Sequence, residues 1–530
     1  MVVRLPVLAG LVVATLLSAI PAYAQAVELG VKQTQRTPAI RTGEVASFSL
    51  AAHKGDYFRG TAEVRVGRFN LDLVGPDGRH LRRLASEAVG TAEFQFVAES
   101  NGLTLHATAI DAGDIALTIS TRLSPAGQVA SPDSYVSPAI AALARQVEAG
   151  GTTEPFWVDV TAKGTPLVEP GPNGQAIVTF LARGARRNVR LFGAPSGDHE
   201  SLERLGASDV WFKSFIVPTS TRLSYQLAPD VPDLPGSARD RRVAILATAR
   251  ADPLNRTPWP ADAPDAFNQD SVLELPDAPV QPGLIERGAP KGTLSEFRIA
   301  SERLGNERTI TLYRPAGFDP ANPDNVLLFV FDAKQYLTRV PTPTILDNLI
   351  AERRLPPVVA VFVSEIDRQT RARELPGNSA FADFMALELL PRVRRETGAT
   401  IPTKRTALTG SSYGGLAAAT VALAHPEAFG NAISLSGSFW WHPEGSAEDQ
   451  SEHVAAWVAR NRRADVRFHL MAGLFETGRV GSPGIVDTSR HLRDVLAARG
   501  YAVTYREYAG GHDYLVWRGA LADALVEMWE

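Results

Sequence analysis

From residue 26 to residue 123 the chain alternates apolar and polar side chains in short runs. Ala62-Glu63-Val64-Arg65-Val66 is one run. Asn70-Leu71-Asp72-Leu73-Val74 is another, and it closes on the turn Gly75-Pro76-Asp77-Gly78. Period-two alternation broken by Gly and Asp predicts half-buried strands, so residues 26–123 are expected to form a β-sandwich accessory domain. Residues 137–148 switch to a helical period, with Ile140, Leu143 and Val147 on one face. Strand-like runs then return at 176–181, 188–192, 211–215 and 222–227, predicting a second sandwich over residues 150–228. Residues 229–290 are rich in Pro and Asp, which disfavours regular structure and suits a linker.

After residue 290 the pattern changes again. Apolar runs at 326–331, 358–363, 406–409, 431–435, 466–472 and 503–508 alternate with helical stretches such as 379–396, 416–425 and 489–499. Strands buried on both faces read as continuous apolar runs, and alternating β and α order predicts a largely parallel sheet over residues 291–530.

The 530 residues exceed what one ordinary core holds, in keeping with several domains. A net charge of −4 gives no footprint for nucleic acid. With no cysteine, disulfides, thiolate metal sites and a cysteine nucleophile are excluded. The 10 histidines include no His-x-x-x-His pair, so no metal and no cofactor are expected. Residues 1–24 read as a cleavable export signal: Arg4 precedes the apolar stretch 8–20, and Ala22-Tyr23-Ala24 is a small-x-small cleavage site. The expected location is therefore periplasmic or secreted. No later stretch is long and apolar enough to span a bilayer.

Gly410-Ser411-Ser412-Tyr413-Gly414 fits Gly-x-Ser-x-Gly and lies between a predicted strand and a predicted Ala-rich helix. That junction is where the nucleophile elbow of an α/β-hydrolase stands, with Ser412 projecting above the strand ends. The alternative is a plain turn. A serine hydroxyl needs a base. Among the later histidines, His512 follows the run 503–508 and two glycines, beyond a strand's C-terminal end. His425 precedes Pro426 at a helix end, His469 falls within a buried strand, and His442, His453 and His491 read as surface positions. The acid that orients the histidine should lie between nucleophile and base; Glu476 is the first acid after the run 466–472, and Asp487 is its competitor. An oxyanion hole would use the backbone N–H of Tyr413 and a second N–H after the run 326–331, at Ala333 or Lys334.

These residues carry a resemblance. Gly410 to Gly415, Leu435-Ser436-Gly437-Ser438-Phe439-Trp440-Trp441, Arg371-Ala372-Arg373-Glu374-Leu375-Pro376-Gly377-Asn378 and Gly510-Gly511-His512-Asp513 through Trp517-Arg518 resemble blocks of the enterochelin (enterobactin) esterase family, within the esterase D-like group. Asp252-Pro253-Leu254-Asn255 and Gln281-Pro282-Gly283 are similar to its linker, and the strands of 176–227 to its Ig-like N-terminal domain. The resemblance covers residues 150–530. It implies an α/β-hydrolase catalytic domain preceded by an Ig-like domain, and a triad of Ser412, Glu476 and His512; with the first sandwich read from the alternation, the expected fold is an α/β-hydrolase catalytic domain preceded by two β-sandwich domains. It further implies hydrolysis of a catecholate siderophore ester, such as a tri-serine lactone, to release iron. Arg371 and Trp441 fall where substrate contacts are implied. Their structural alternatives are an ion pair of Arg371 with Glu374 and a core position for Trp440 and Trp441. Ala333 stands where the family has Gly, and the first sandwich lies outside its usual architecture. Feruloyl and acetylxylan esterases share the nucleophile and Gly-Gly-His-Asp regions, so a sugar ester is the rival small-molecule substrate. A catalytically inactive ligand-binding relative is the rival class.

Overall fold

The computed structural model describes residues 26–128, 135–195, 199–447, 451–478 and 483–529. The expected export signal lies outside the described residues. The chain divides into two compact units, Met1–Asp133 and Ser134–Glu530.

In the first unit, seven strands form one hydrogen-bonded sheet. The predicted runs 62–66 and 70–74 are halves of a single strand, Tyr57–Val74, which changes partner midway. Its first part pairs with Asp114–Leu123 and its second with Leu103–Ala109, while His80–Val97 follows its whole length. The switch falls at Gly67, whose φ of +82° suits glycine; a Cβ there would come within 2.7 Å of the Asp111 carbonyl oxygen. Phe58, Phe69, Leu71, Phe94, Leu105 and Leu117 share the core.

The second unit begins with the helix Pro138–Glu148, capped by Ser137, whose hydroxyl accepts from Ile140 N. A sandwich of two four-stranded sheets follows. One contains Leu167–Pro170, Ala176–Arg183, Glu203–Arg204 and Val210–Val217. The other contains Val189–Gly193, Arg222–Pro229, Pro258–Trp259 and Asp270–Glu274. The stretch 229–290, expected as a linker, thus supplies two strands. Asp270–Glu274 escapes a hydrophobicity reading because one of its inward residues is Ser271, which is buried and accepts a hydrogen bond from Asp252 N over 2.7 Å.

The third sheet of this unit has eight strands: β1 (Thr293–Ser301), β2 (Asn306–Arg314), β3 (Val326–Phe331), β4 (Val358–Val363), β5 (Thr406–Ser411), β6 (Asn431–Leu435), β7 (Arg467–Gly473) and β8 (Val503–Tyr508). Their order is β1-β2-β4-β3-β5-β6-β7-β8, parallel from β4 to β8 with an antiparallel β1–β2 hairpin at one edge. Every residue of β3, β4, β5 and β6 is buried, as a sheet covered on both faces requires. The last helix, Tyr514–Trp529, packs on one face and is apolar nearly all round. No described helix is long and apolar enough to cross a membrane.

Candidate active site

Strand β5 ends one residue before Ser412, and the helix Tyr413–Ala424 begins one residue after. Ser412 sits at φ 59°, ψ −122°, a backbone conformation that L residues rarely adopt and that sharp turns at functional sites impose. Crowding explains the flanking glycine: a Cβ on Gly410 would lie 2.9 Å from Gly414 Cα. The turn is pinned by Ser412 N donating to Leu435 O at 3.0 Å and by Ser438 N donating to Ser412 O at 3.1 Å. Ser438 Oγ lies 3.4 Å from Ser412 Oγ.

His512 stands in the loop between β8 and the helix Tyr514–Trp529. Its Nδ1 lies 2.6 Å from Glu476 Oε1. Glu476 follows β7, and its other oxygen accepts from Gly473 N at 2.6 Å and from Ser436 Oγ at 2.7 Å. The carboxylate is 3% exposed and the imidazole 42%, so the acid is walled in while the base keeps an open edge. With Nδ1–H donating to Glu476, Nε2 carries the free lone pair that proton abstraction needs. Asp487, the competing acid, is exposed in the first turn of the helix Ile485–Ala498. Ser412, Glu476 and His512 all line one cavity of about 1000 Å³.

At the end of β3, Asp332 takes a left-handed conformation (φ 58°, ψ 54°) and turns the chain into the helix Ala333–Thr338. Gln335 N and Tyr336 N both donate to Asp332 O, which leaves the N–H groups of Ala333 and Lys334 as the first-turn amides of that helix. The Asp332 carboxylate grips Arg371 through two bonds, Nε at 2.6 Å and Nη2 at 2.7 Å. Burial opposes the Arg371 charge, yet the carboxylate outweighs it and holds the guanidinium above its usual range. The alternative partner, Glu374, is instead bound by Arg308 at 2.7 Å and Asn306 at 2.7 Å. Arg371 also lies over the Tyr413 ring, 5.9 Å from its centroid, so the turn at Asp332 and the turn at Ser412 share one support.

The cavity is lined by Trp440, whereas Trp441 packs on the core against the His453 ring at 5.5 Å. The sandwich contributes Phe192, His199, Tyr225 and Trp259 to the same cavity. Arg339 stacks over Trp259 at 4.5 Å and pairs with Asp270 at 2.9 Å. Burial raises the Asp270 carboxyl against the pull of Arg339. Sequence reasoning missed Ser436, Asp332 and Asp513. Ser436 and Asp513 stand inside the blocks quoted above without having been given a role there, and Asp332 lies directly before the expected amide donor at Ala333; Asp513, next to His512, accepts a hydrogen bond from Ser224 N of the sandwich at 2.6 Å. Among the described residues, no group of three or more His, Cys, Asp or Glu is placed to hold a metal ion.

Comparison with known proteins matches residues 301–528 to a family described as putative esterase, and residues 177–284 to the enterochelin esterase N-terminal family. The chain is 33% identical over 430 residues to an iron(III) enterobactin esterase of Dickeya dadantii, covering 74% of this chain and 96% of that protein. It is 31% identical over 415 residues to an iron(III) salmochelin esterase of Escherichia coli O6:H1, covering 73% and 97%. Among solved structures, the Shigella flexneri enterobactin esterase in the presence of enterobactin aligns with TM-score 0.57 and 29% identity, over 70% of this chain and 97% of that one. The Salmonella typhimurium ferric enterobactin esterase aligns with TM-score 0.57 and 31% identity, over 71% and 98%.

Proposed function

The chain belongs to the enterochelin (enterobactin) esterase family and is an ester hydrolase, and from that premise we propose that it cleaves the ester bonds of a catecholate siderophore with Ser412, His512 and Glu476 as its triad. The observation that carries this reading is the 2.6 Å contact of His512 Nδ1 with the buried Glu476 carboxylate, at the wall of the cavity that Ser412 also lines.

His512 Nε2 takes the Ser412 hydroxyl proton as Oγ attacks the ester carbonyl carbon. The negative charge forming on the carbonyl oxygen is met by the N–H of Tyr413 and by those of Ala333 or Lys334. These amides belong to first helical turns, so an alanine in place of glycine at 333 leaves the donor unchanged. Collapse of the tetrahedral intermediate breaks the ester C–O bond, and the imidazolium returns its proton to the departing serine-type alcohol. Water, deprotonated by the same Nε2, then releases the acid and restores Ser412.

Arg371 supports this geometry through Asp332 and Tyr413. The nearer substrate contact is Trp440, with Phe192 and Trp259 across the cavity. A volume of about 1000 Å³ stands at the upper end for small-molecule sites and suits a bulky multi-ring ester. The apolar stretch at residues 8–20 supports a reaction outside the cytoplasm, in the periplasm or beyond it.

The test is Ser412→Ala, assayed with ferric enterobactin by chromatography of the released dihydroxybenzoyl-serine products and, in parallel, with feruloylated xylan. Turnover of the siderophore should fall by about three orders of magnitude or more while folding is retained. Unchanged turnover overturns the nucleophile, and wild-type turnover of the xylan ester alone overturns the substrate class.

A further inference from the structure

One hydrogen-bonded chain reaches the triad from behind. The indole Nε1 of Trp517 donates to Ser436 Oγ over 2.9 Å, and Ser436 Oγ lies 2.7 Å from Glu476 Oε2. Both Trp517 and Ser436 are buried. Trp517 also meets the other end of the triad: its ring stands at 88° to the His512 imidazole, with centroids 4.8 Å apart. We infer that Trp517 and Ser436 are positioning residues for ester hydrolysis, fixing the Glu476 carboxylate and the His512 ring together.

The direction of the protons follows from the groups themselves. An indole nitrogen can only donate, so the Ser436 oxygen accepts from Trp517 and must place its own proton elsewhere. Two acceptors are in reach, Glu476 Oε2 at 2.7 Å and Met471 Sδ at 3.6 Å, and the carboxylate is both closer and far stronger. Ser436 is thereby held as a donor to Glu476. With Gly473 N also donating to Oε2, that oxygen is fully engaged and Oε1 is left to His512. Rotation of the carboxylate would break two bonds at once. The imidazole, which could otherwise pivot about its bond to Glu476, has the edge-on Trp517 ring as its stop.

The backbone is shaped for this task. Ser436 occupies a left-handed conformation at φ 48°, uncommon for a residue other than glycine, and its N–H bonds Met471 O at 2.8 Å. The turn after β6 therefore carries local strain at the residue whose hydroxyl meets the triad acid, and strain of this kind persists only where surrounding contacts impose it.

The inference rests on the triad reading above, and the experiment separates the two. Trp517→Phe keeps the ring against His512 and deletes the indole N–H; Ser436→Ala deletes the hydroxyl. With p-nitrophenyl butyrate, each single variant should lose roughly tenfold in kcat with KM within about twofold, since the bonds act on the base and not on substrate binding. The double variant should be no worse than Ser436→Ala alone, because residues acting through one chain are not additive. Proton NMR should show the downfield His512 Nδ1–H resonance displaced in both single variants. A Trp517→Phe kcat within twofold of wild type, an unmoved resonance, or multiplicative losses in the double variant overturns the relay. If Ser436→Ala does not fold, the kcat and the resonance of Trp517→Phe decide. Wild-type turnover that survives Ser412→Ala sinks the triad instead, whatever the relay variants do.

Discussion

Replacing Glu476 by glutamine changes no volume and tests the core of the site. The carboxylate accepts from Gly473 N, Ser436 Oγ and His512 Nδ1 at 2.6, 2.7 and 2.6 Å. An amide has one acceptor oxygen and one donor group, so it cannot satisfy all three. If the NH2 faces Gly473, a buried backbone N–H loses its acceptor, at about 1–3 kcal/mol. If it faces His512, it donates to Nδ1, moves the ring proton to Nε2 and removes the base from Ser412. The second orientation avoids the buried orphan and is favoured by that amount. In addition, an imidazolium about 4 Å from the lost negative charge forfeits about 4 kcal/mol at an effective dielectric near 20. At 1.36 kcal/mol per decade this predicts a kcat lower by about a thousandfold. The assay is kcat for p-nitrophenyl butyrate at pH 7.5, with Asp487→Asn measured alongside. Asp487→Asn should stay within about twofold, because Asp487 is exposed on the following helix. Retention of more than about a tenth of kcat in Glu476→Gln, or a collapse in Asp487→Asn, refutes the assignment of the acid.

Two further outcomes follow from packing and titration. A Cβ on Gly511 would lie 2.5 Å from Ala194 Cβ in the sandwich, so Gly511→Ala must displace the loop that carries His512; kcat should fall by about one to two orders of magnitude, and a kcat within twofold would show that the loop yields freely. His469 in β7 is held down to about 4 by burial and by the Arg506 and Arg467 charges, although Glu527 Oε2 lies 3.3 Å from its Nδ1. Its folded-state value lies below the unfolded one, so its contribution is complete above about pH 6.5 and is lost as pH falls toward 4. It amounts to at most about 3 kcal/mol. His469→Leu should flatten the pH dependence of the urea midpoint across that window, and an unchanged slope would mean that His469 protonates normally in the folded state.

The sheet was legible where strands are buried on both faces. The apolar runs 326–331, 358–363 and 431–435 coincide with β3, β4 and β6, since a strand with no solvent face leaves no polar position to blur its ends. The last helix, 514–529, was not legible, because a segment apolar all round has no helical period to read. The expected helix 379–396 is interrupted by a π-helical stretch, Phe384–Leu389, just before Pro391, which has no N–H to continue the ladder. In the site, the chain order of Ser412, Glu476 and His512 pointed to residues that the fold brings to one cavity. Adjacent tryptophans were beyond that reasoning: the turn after β6 sends Trp440 to the cavity and Trp441 to the core, a split that no hydrophobic pattern distinguishes. The Asp332–Arg371 pair likewise depends on one left-handed residue, and 39 positions of sequence separate its members.

The sandwich and the loop of His512 are tied together by direct bonds. The strand Arg222–Pro229 reaches past its own sheet: Arg222 N donates to Ala509 O at 2.9 Å, and Ser224 N donates to Asp513 Oδ2 at 2.6 Å. Between these two anchors Gly511 abuts Ala194, so residues on both sides of His512 are fixed by a domain that supplies none of the proposed triad. Asp513 joins the two roles, since its other oxygen accepts from Leu515 N and caps the final helix. The same domain contributes Phe192, Tyr225 and Trp259 to the wall of the cavity that His512 also lines. On the proposed reading, a substrate pressing on the sandwich wall would reach the loop of His512 through these bonds. On the same reading, residues 291–530 alone would carry the triad without the two hydrogen bonds and the Gly511–Ala194 contact that hold the loop of His512.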